Sequence, residues 1–183
     1  SWSLGALGWG EHRQTRIQPF AGTLLTILIT GGAGFVGGHF ALNWCDHTDE
    51  PIINLDKLTY ASQLSALSGL KNHRSHVLVQ GDICDSALVA SLLLQYQPRA
   101  VIHFAAESHV DRSIHQPSDF IASNIVGTFQ LLESVRAYWS NQSDTQQKNF
   151  RFLHVSTDEV YGSLATTEMA FTESNRYAPN NPY

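Results

Sequence analysis

The stretch TGGAGFVG, Thr30 to Gly37, constrains the fold more than any other part of the chain. It follows an apolar, β-branched run, Leu24 to Thr30, of the kind that forms a strand buried on both faces. It precedes Phe35 to Cys45, which reads as a helix. Gly31, Gly34 and Gly37 are spaced GxxGxxG rather than GxGxxG, and either pattern alone also fits an ordinary glycine-rich turn. Between a strand and a helix, however, the backbone must turn sharply, admit a pyrophosphate closely and offer free N–H groups at a helix start. The context therefore predicts a phosphate-binding loop.

Four further runs have the character of the first: Pro51 to Leu55, His76 to Gln80, Ala100 to Phe104 and Arg151 to Ser156. Helical patterns lie between them. Asp85 is placed to N-cap a helix in which Leu88, Leu92 and Tyr96 recur at helical spacing, and which ends before Pro98. Pro117 and Ser118 open a longer helix, with Phe120, Ile121, Ile125, Phe129, Leu132, Val135 and Trp139 expected on its buried face. Asn141 to Asn149 reads as a polar surface loop. Strands alternating with helices predict an α/β, Rossmann-type, doubly wound parallel sheet of about five strands. The expected organisation is an extension over residues 1–23 and a dinucleotide-binding domain over 24–183.

Composition narrows the function classes. The 183 residues carry 11 Lys plus Arg against 16 Asp plus Glu, and no basic stripe follows a phosphate backbone, so nucleic acid is not the expected partner. No apolar run approaches the roughly 18–20 residues of a spanning helix, and the first residues lack a basic segment followed by an apolar one. A soluble, cytoplasmic protein is the expectation. Cys45 and Cys84 form no CxxC pair, and His103, His109 and His115 stand six apart without converging, so neither a disulfide framework nor a metal site is expected. Cys84 reads as a small buried residue.

The second strand candidate leads to Asp56, about twenty residues beyond Gly37, where a carboxylate accepts both adenosine ribose hydroxyls and repels a 2′-phosphate. NAD is thereby expected over NADP. Asp82 in GDICD stands where it could meet adenine, and equally where an ordinary acid enters a helix.

With the glycine spacing, the motifs NLDKLTYAS, GDICD, HFAAESHVDRS, NIVGT, STDEVYG and YAPNNPY resemble the extended short-chain dehydrogenases, and within them the dTDP-glucose 4,6-dehydratase family, over about Leu24 to Tyr183. The resemblance implies NAD, a dTDP-glucose substrate, a homodimeric parent protein and a dehydration in which hydride leaves C4 and returns to C6. It places Phe35 and Val36 at the pyrophosphate, Asp56, Lys57, Leu58 and Thr59 around the ribose, and Asp82 with Ile83 near adenine. Phe104, Ala105, Ala106 and Glu107 would border the cofactor, as would Ser123, which stands where the family has a threonine. Ser108 would touch cofactor and sugar, and Thr157 the sugar.

Asp158 is implied as the acid for the departing C6 hydroxyl and Glu159 as the base at C5, a division that needs one carboxyl protonated and the other ionised. Tyr183 would take the C4 hydroxyl proton and touch the cofactor, helped in the family by a lysine four residues later. The chain starts at Ser1 and stops at Tyr183, so the expectation is a fragment lacking its substrate domain and inactive alone. Two other readings stay open: an NAD-binding module or relic without turnover, and a sibling nucleotide-sugar epimerase or decarboxylase.

Overall fold

A computed structural model describes residues 25–59, 62, 66–167 and 169–183. The expected extension over residues 1–23 lies outside the described residues. Five strands form one parallel sheet: β1 (Ile27–Thr30), β2 (Ile52–Asp56), β3 (His76–Gln80), β4 (Ala100–His103) and β5 (Arg151–His154), in the order β3-β2-β1-β4-β5. β1 pairs with β2 through Ile27 opposite Ile52 and with β4 through Ile27 opposite Ala100. The chain winds outward from β1 to one side and then crosses to the other, which puts the switch point beside the carboxyl end of β1.

Alternation along the strands feeds two cores. Leu28, Ile53, Leu55 and Val101 face one side, where Leu92, Leu93 and Tyr96 of α2 (Ser86–Tyr96) and Leu131, Val135 and Tyr138 of the α5 helix (Thr128–Ser140) pack on them. Ile27, Ile29 and Ile52 face the other, against Ala41 and Cys45 of α1 (Phe35–His47) and Leu67 and Leu70 of a short 3-10 turn. Each aliphatic side chain so buried contributes about 1.5–3 kcal/mol. Both cores belong to one sheet, so a strand slipped by one residue would exchange them.

The outer strands differ from the expectation of burial on both faces. β3 is half-buried and β5 largely exposed, because each has a partner strand on one side only among the described residues. Asp85 does cap α2, its side chain accepting from Leu88 N at 3.0 Å, and the helix ends at Gln97 in the left-handed region. The polar stretch after α5 is not wholly loop. It holds α6 (Asp144–Asn149), begun by a capping box between Ser143 and Gln146.

The long helix also departs from expectation. After α3 (Val110–His115) and α4 (Pro117–Phe120), the backbone runs through a π-helical segment, Ile121–Gly127, into α5. Its buried face is Phe120, Gly127, Leu131, Val135 and Tyr138, whereas Ile121, Ile125, Phe129, Leu132 and Trp139 are exposed. The helix carries two apolar stripes. The less apolar one is buried, because Gly127 lets it sit against Ile83 and Cys84; a Cβ there would lie 2.8 Å from Ile83.

Burial disfavours charge on two histidines, His103 fully buried and His76 half-buried. Burial, reinforced by His154, lowers the His103 pKa to about 4. Burial likewise lowers His76 to about 4, against an opposing hydrogen bond to the Leu70 backbone. Above the ordinary value of 6.5 both are neutral whether folded or not. As pH falls from 6.5 towards 4 the unfolded chain takes up protons that the folded chain refuses, so stability drops. Unfolding free energies from urea titrations across that window should fall with pH, by up to about 1.4 kcal/mol per unit per histidine, and His76→Gln with His103→Gln should flatten the slope.

Gly31 has φ +74, and a Cβ there would lie 2.5 Å from Ala105 N. Gly31→Ala should therefore cost roughly 2 kcal/mol or more in the same urea assay. Gly34→Ala, whose Cβ would meet only Gly31 O at 3.3 Å, should cost much less.

Candidate cofactor and active site

The glycine loop closes on itself before α1 begins. Gly31 N donates to Leu55 O at 2.9 Å, and Gly34 N donates to Gly31 O at 3.1 Å. Gly37 must be small, since its Cβ would lie 2.4 Å from Gly31 O. Gly34 caps α1 in an extended conformation with no side-chain acceptor, and Phe35 and Val36 in the first turn are exposed. Open N–H groups at the start of a helix, beside a turn that admits no side chain at Gly31 or Gly37, match the needs of a pyrophosphate.

Asp56, at the end of β2, is 8% exposed. Its Oδ2 accepts from Ala33 N at 2.8 Å, and its Oδ1 from Leu58 N at 2.8 Å and Ser62 Oγ at 3.4 Å. The acid thus ties the glycine loop to the turn after β2, in which Leu58 takes φ 57. Beside it, Lys57 Nζ stands 2.7 Å from Asp82 Oδ2. The hydrogen bond to Asp82 raises the Lys57 pKa against a smaller effect of burial. Burial opposes the charge on Asp82, yet Lys57 and the Cys84 N–H together hold its pKa below the usual carboxylate value.

These side chains open onto a cavity of about 290 Å³ that is lined by Lys57, Thr59, Asp82, Cys84, Glu107, Arg112, Asp119, Ala122 and Ser123. Cys84 is half-buried at this cavity rather than fully buried. Ile83 does not line it; at 5% exposure it packs in the core below.

The loop after β4 carries Phe104 to Ser108. Phe104 N donates to Thr30 O at 2.9 Å, which fixes the loop beside the glycine turn. Asn124, in the π-helical segment, clamps it from the other side: its Oδ1 accepts from Glu107 N and its Nδ2 donates to Glu107 O, both at 2.9 Å. Beneath, His103 bridges Thr30 Oγ1 at 2.6 Å and Thr128 Oγ1 at 3.0 Å. Sequence reasoning assigned no role to Asn124 or His103. Asn124 is half-buried in line with Phe120, Gly127 and Leu131, a placement that calls for a polar partner.

STDEVYG leaves β5 on the same sheet edge. Thr157 Oγ1 accepts from Glu159 N at 3.2 Å and starts the 3-10 turn Asp158–Tyr161. Asp158 is exposed and Glu159 half-buried. The segment after Gly162 folds back over this turn: Ala178 N donates to Val160 O at 2.9 Å, and Tyr161 packs on Phe171 and Tyr177. Asn181 Nδ2 then donates to Glu159 Oε2 at 2.7 Å, and two residues on Tyr183 meets the Phe120 ring edge-on at 6.4 Å. The fold-back therefore brings the segment bearing Tyr183 to Glu159. Asp158, Glu159 and Tyr183 do not line the cavity, and Ser108 is exposed on the loop between the two regions. Among the described residues no group of three His, Cys, Asp or Glu side chains could hold a metal, and no helix is long and apolar enough to cross a membrane.

Comparison with known proteins places this arrangement. A dTDP-glucose 4,6-dehydratase of Xanthomonas campestris pv. campestris is 55% identical over 160 residues, covering 87% of this chain and 45% of that protein. The chain thus spans about half the length of the curated relatives it matches. The dTDP-glucose 4,6-dehydratase DesIV of Streptomyces venezuelae, solved with NAD bound, superimposes with a TM-score of 0.72 at 40% identity, over 87% of this chain and 47% of that one. A UDP-glucose 4-epimerase of Brucella ovis, also with NAD, follows at 0.69 and 30% identity, over 87% and 43%. The family model described as GDP-mannose 4,6 dehydratase matches residues 28–183, and on that match the chain belongs to the GDP-mannose 4,6 dehydratase family.

Proposed function

We propose that this chain is the NAD-binding part, over residues 24–183, of an enzyme that dehydrates dTDP-glucose to dTDP-4-keto-6-deoxyglucose, with residues 1–23 an extension ahead of it. The observation that carries the reading is the Asp158–Glu159 pair behind Thr157 at the carboxyl edge of the sheet, with Glu159 held by Asn181. NAD, when bound, supplies a hydride acceptor for C4 and returns that hydride at C6.

In this reading the open N–H groups at the start of α1, around Phe35, Val36 and Gly37, receive the pyrophosphate against the turn that Gly31 and Gly34 shape. Asp56, Lys57, Leu58 and Thr59 surround the ribose, Asp82 forms the adenine end with Ile83 packed in the core beneath it, and Phe104 to Ser108 with Ser123 border the cofactor. Ser108 and Thr157 hold the sugar. Tyr183 takes the C4 hydroxyl proton. The resulting ketone acidifies C5, so Glu159 can take that proton while Asp158 protonates the C6 hydroxyl, which leaves as water. The exposed apolar stripe Ile121, Ile125, Phe129, Leu132 and Trp139 supports a homodimeric parent protein, and two free cysteines, Cys45 and Cys84, are in keeping with a cytoplasmic one.

A C4 epimerase shares the sheet but breaks no C6–O bond, so it has no use for an acid at that carbon. The carboxyl pair favours dehydration. Joining this chain to the remaining length of the Xanthomonas relative gives a direct assay: NAD and dTDP-glucose should yield the 4-keto-6-deoxy sugar, and Asp158→Asn or Glu159→Gln should cut turnover about 10²-fold or more with NAD binding kept. A folded chimera that binds NAD without forming product would make the chain a binding module. One that epimerises UDP-glucose, indifferent to both substitutions, would make it a sibling epimerase.

A further inference from the structure

Asp56 and Asp82 stand at the carboxyl ends of neighbouring strands and face different surroundings. Asp56 is turned into the protein, with both oxygens accepting N–H groups of the adjoining loops, and it does not line the cavity. Asp82 does, and so does Lys57, the residue next to Asp56. A cofactor bearing a 2′-phosphate needs a cation beside its ribose to offset that charge. Lys57 occupies the place for one. Its ammonium is 2.7 Å from Asp82 Oδ2, and the remaining lining charges are two carboxylates, Glu107 and Asp119, and one guanidinium, Arg112, which donates to Gln116 at 3.3 Å. A second phosphate entering here would meet a cation already paired with a carboxylate and an excess of negative charge.

We propose that Asp82 is a specificity-determining residue: by pairing with Lys57 it withholds that cation from a 2′-phosphate, so rejection of the phosphorylated dinucleotide rests on the Lys57–Asp82 pair and not on Asp56 alone. The inference rests on the cavity being the adenosine site. It makes Asp82 a gate on the charge of its neighbour as well as a wall of the adenine end. Removing its charge while keeping its size should turn Lys57 into a phosphate anchor, with a gain that weakens as salt rises.

The test is calorimetric titration of the 183-residue chain with ADP-ribose and with 2′-phospho-ADP-ribose, which engage only the adenosine half. The wild-type chain should prefer ADP-ribose. Asp82→Asn and Asp82→Ser, each checked for folding by circular dichroism, should both shift the affinity ratio towards the phosphorylated ligand by about tenfold or more. Adding Lys57→Met to either should abolish the shift. A ratio unmoved in both variants overturns the proposal, and so does a shift that survives Lys57→Met. Failure of the wild-type chain to bind ADP-ribose would overturn the cofactor reading and this inference together, whereas binding with an unmoved ratio overturns the inference alone.

Discussion

The backbone contact at Gly31 is the constraint on which the rest of the structure depends. β1 is hydrogen-bonded on both sides, so the loop that leaves it must pass between the ends of β2 and β4. Gly31 N reaches Leu55 O on one side, and on the other a side chain at Gly31 would strike the backbone of Ala105. The left-handed turn that results sends the chain up into α1 with its first N–H groups open. Asp56 then locks Ala33 and the turn after β2 together. Three loops are gathered at one point because a single residue lacks a side chain.

From that point two neighbouring sites follow. The turn after β2 and the loop after β3 wall off the charged cavity, while Asn124 fixes the loop after β4 that separates it from the turn at Thr157. The second site is assembled by long-range contacts. Gly162, at φ +90, packs so closely on Ala178 O that only glycine fits, and this fold-back carries Asn181 to Glu159. A cofactor laid across the sheet edge would therefore have its ends in different electrostatic settings, one dominated by the Lys57–Asp82 pair and the other by the Asp158–Glu159 carboxyls.

The central strands were legible in the sequence because full burial leaves a continuous apolar run, as in ILIT and IINL. Asp85 was legible because a cap is a local interaction. The long helix was not, since Phe120, Asn124, Gly127, Leu131, Val135 and Tyr138 keep helical spacing yet include an amide and a glycine, while the exposed stripe beside them is the more apolar of the two. Hydrophobicity alone selects the wrong stripe. The short helix α6 did leave a sign, the S-x-x-Q of its capping box, within a stretch whose polarity reads as loop. For the candidate site, the motifs singled out the glycine loop, the carboxyl pair and Tyr183. The distant partners of Asp56, Lys57 and Glu159 lie 23, 25 and 22 residues away, at Ala33, Asp82 and Asn181, and no local pattern announces them.

The most direct measurement is a crystal structure of the chain grown with NAD. The pyrophosphate should lie on the N–H groups at the start of α1, with the adenosine beside Lys57 and Asp82 and the nicotinamide end directed towards the turn that bears Asp158 and Glu159. Well-diffracting crystals from NAD-saturated protein with the cavity empty, or with the dinucleotide bound away from the glycine loop, would contradict the account.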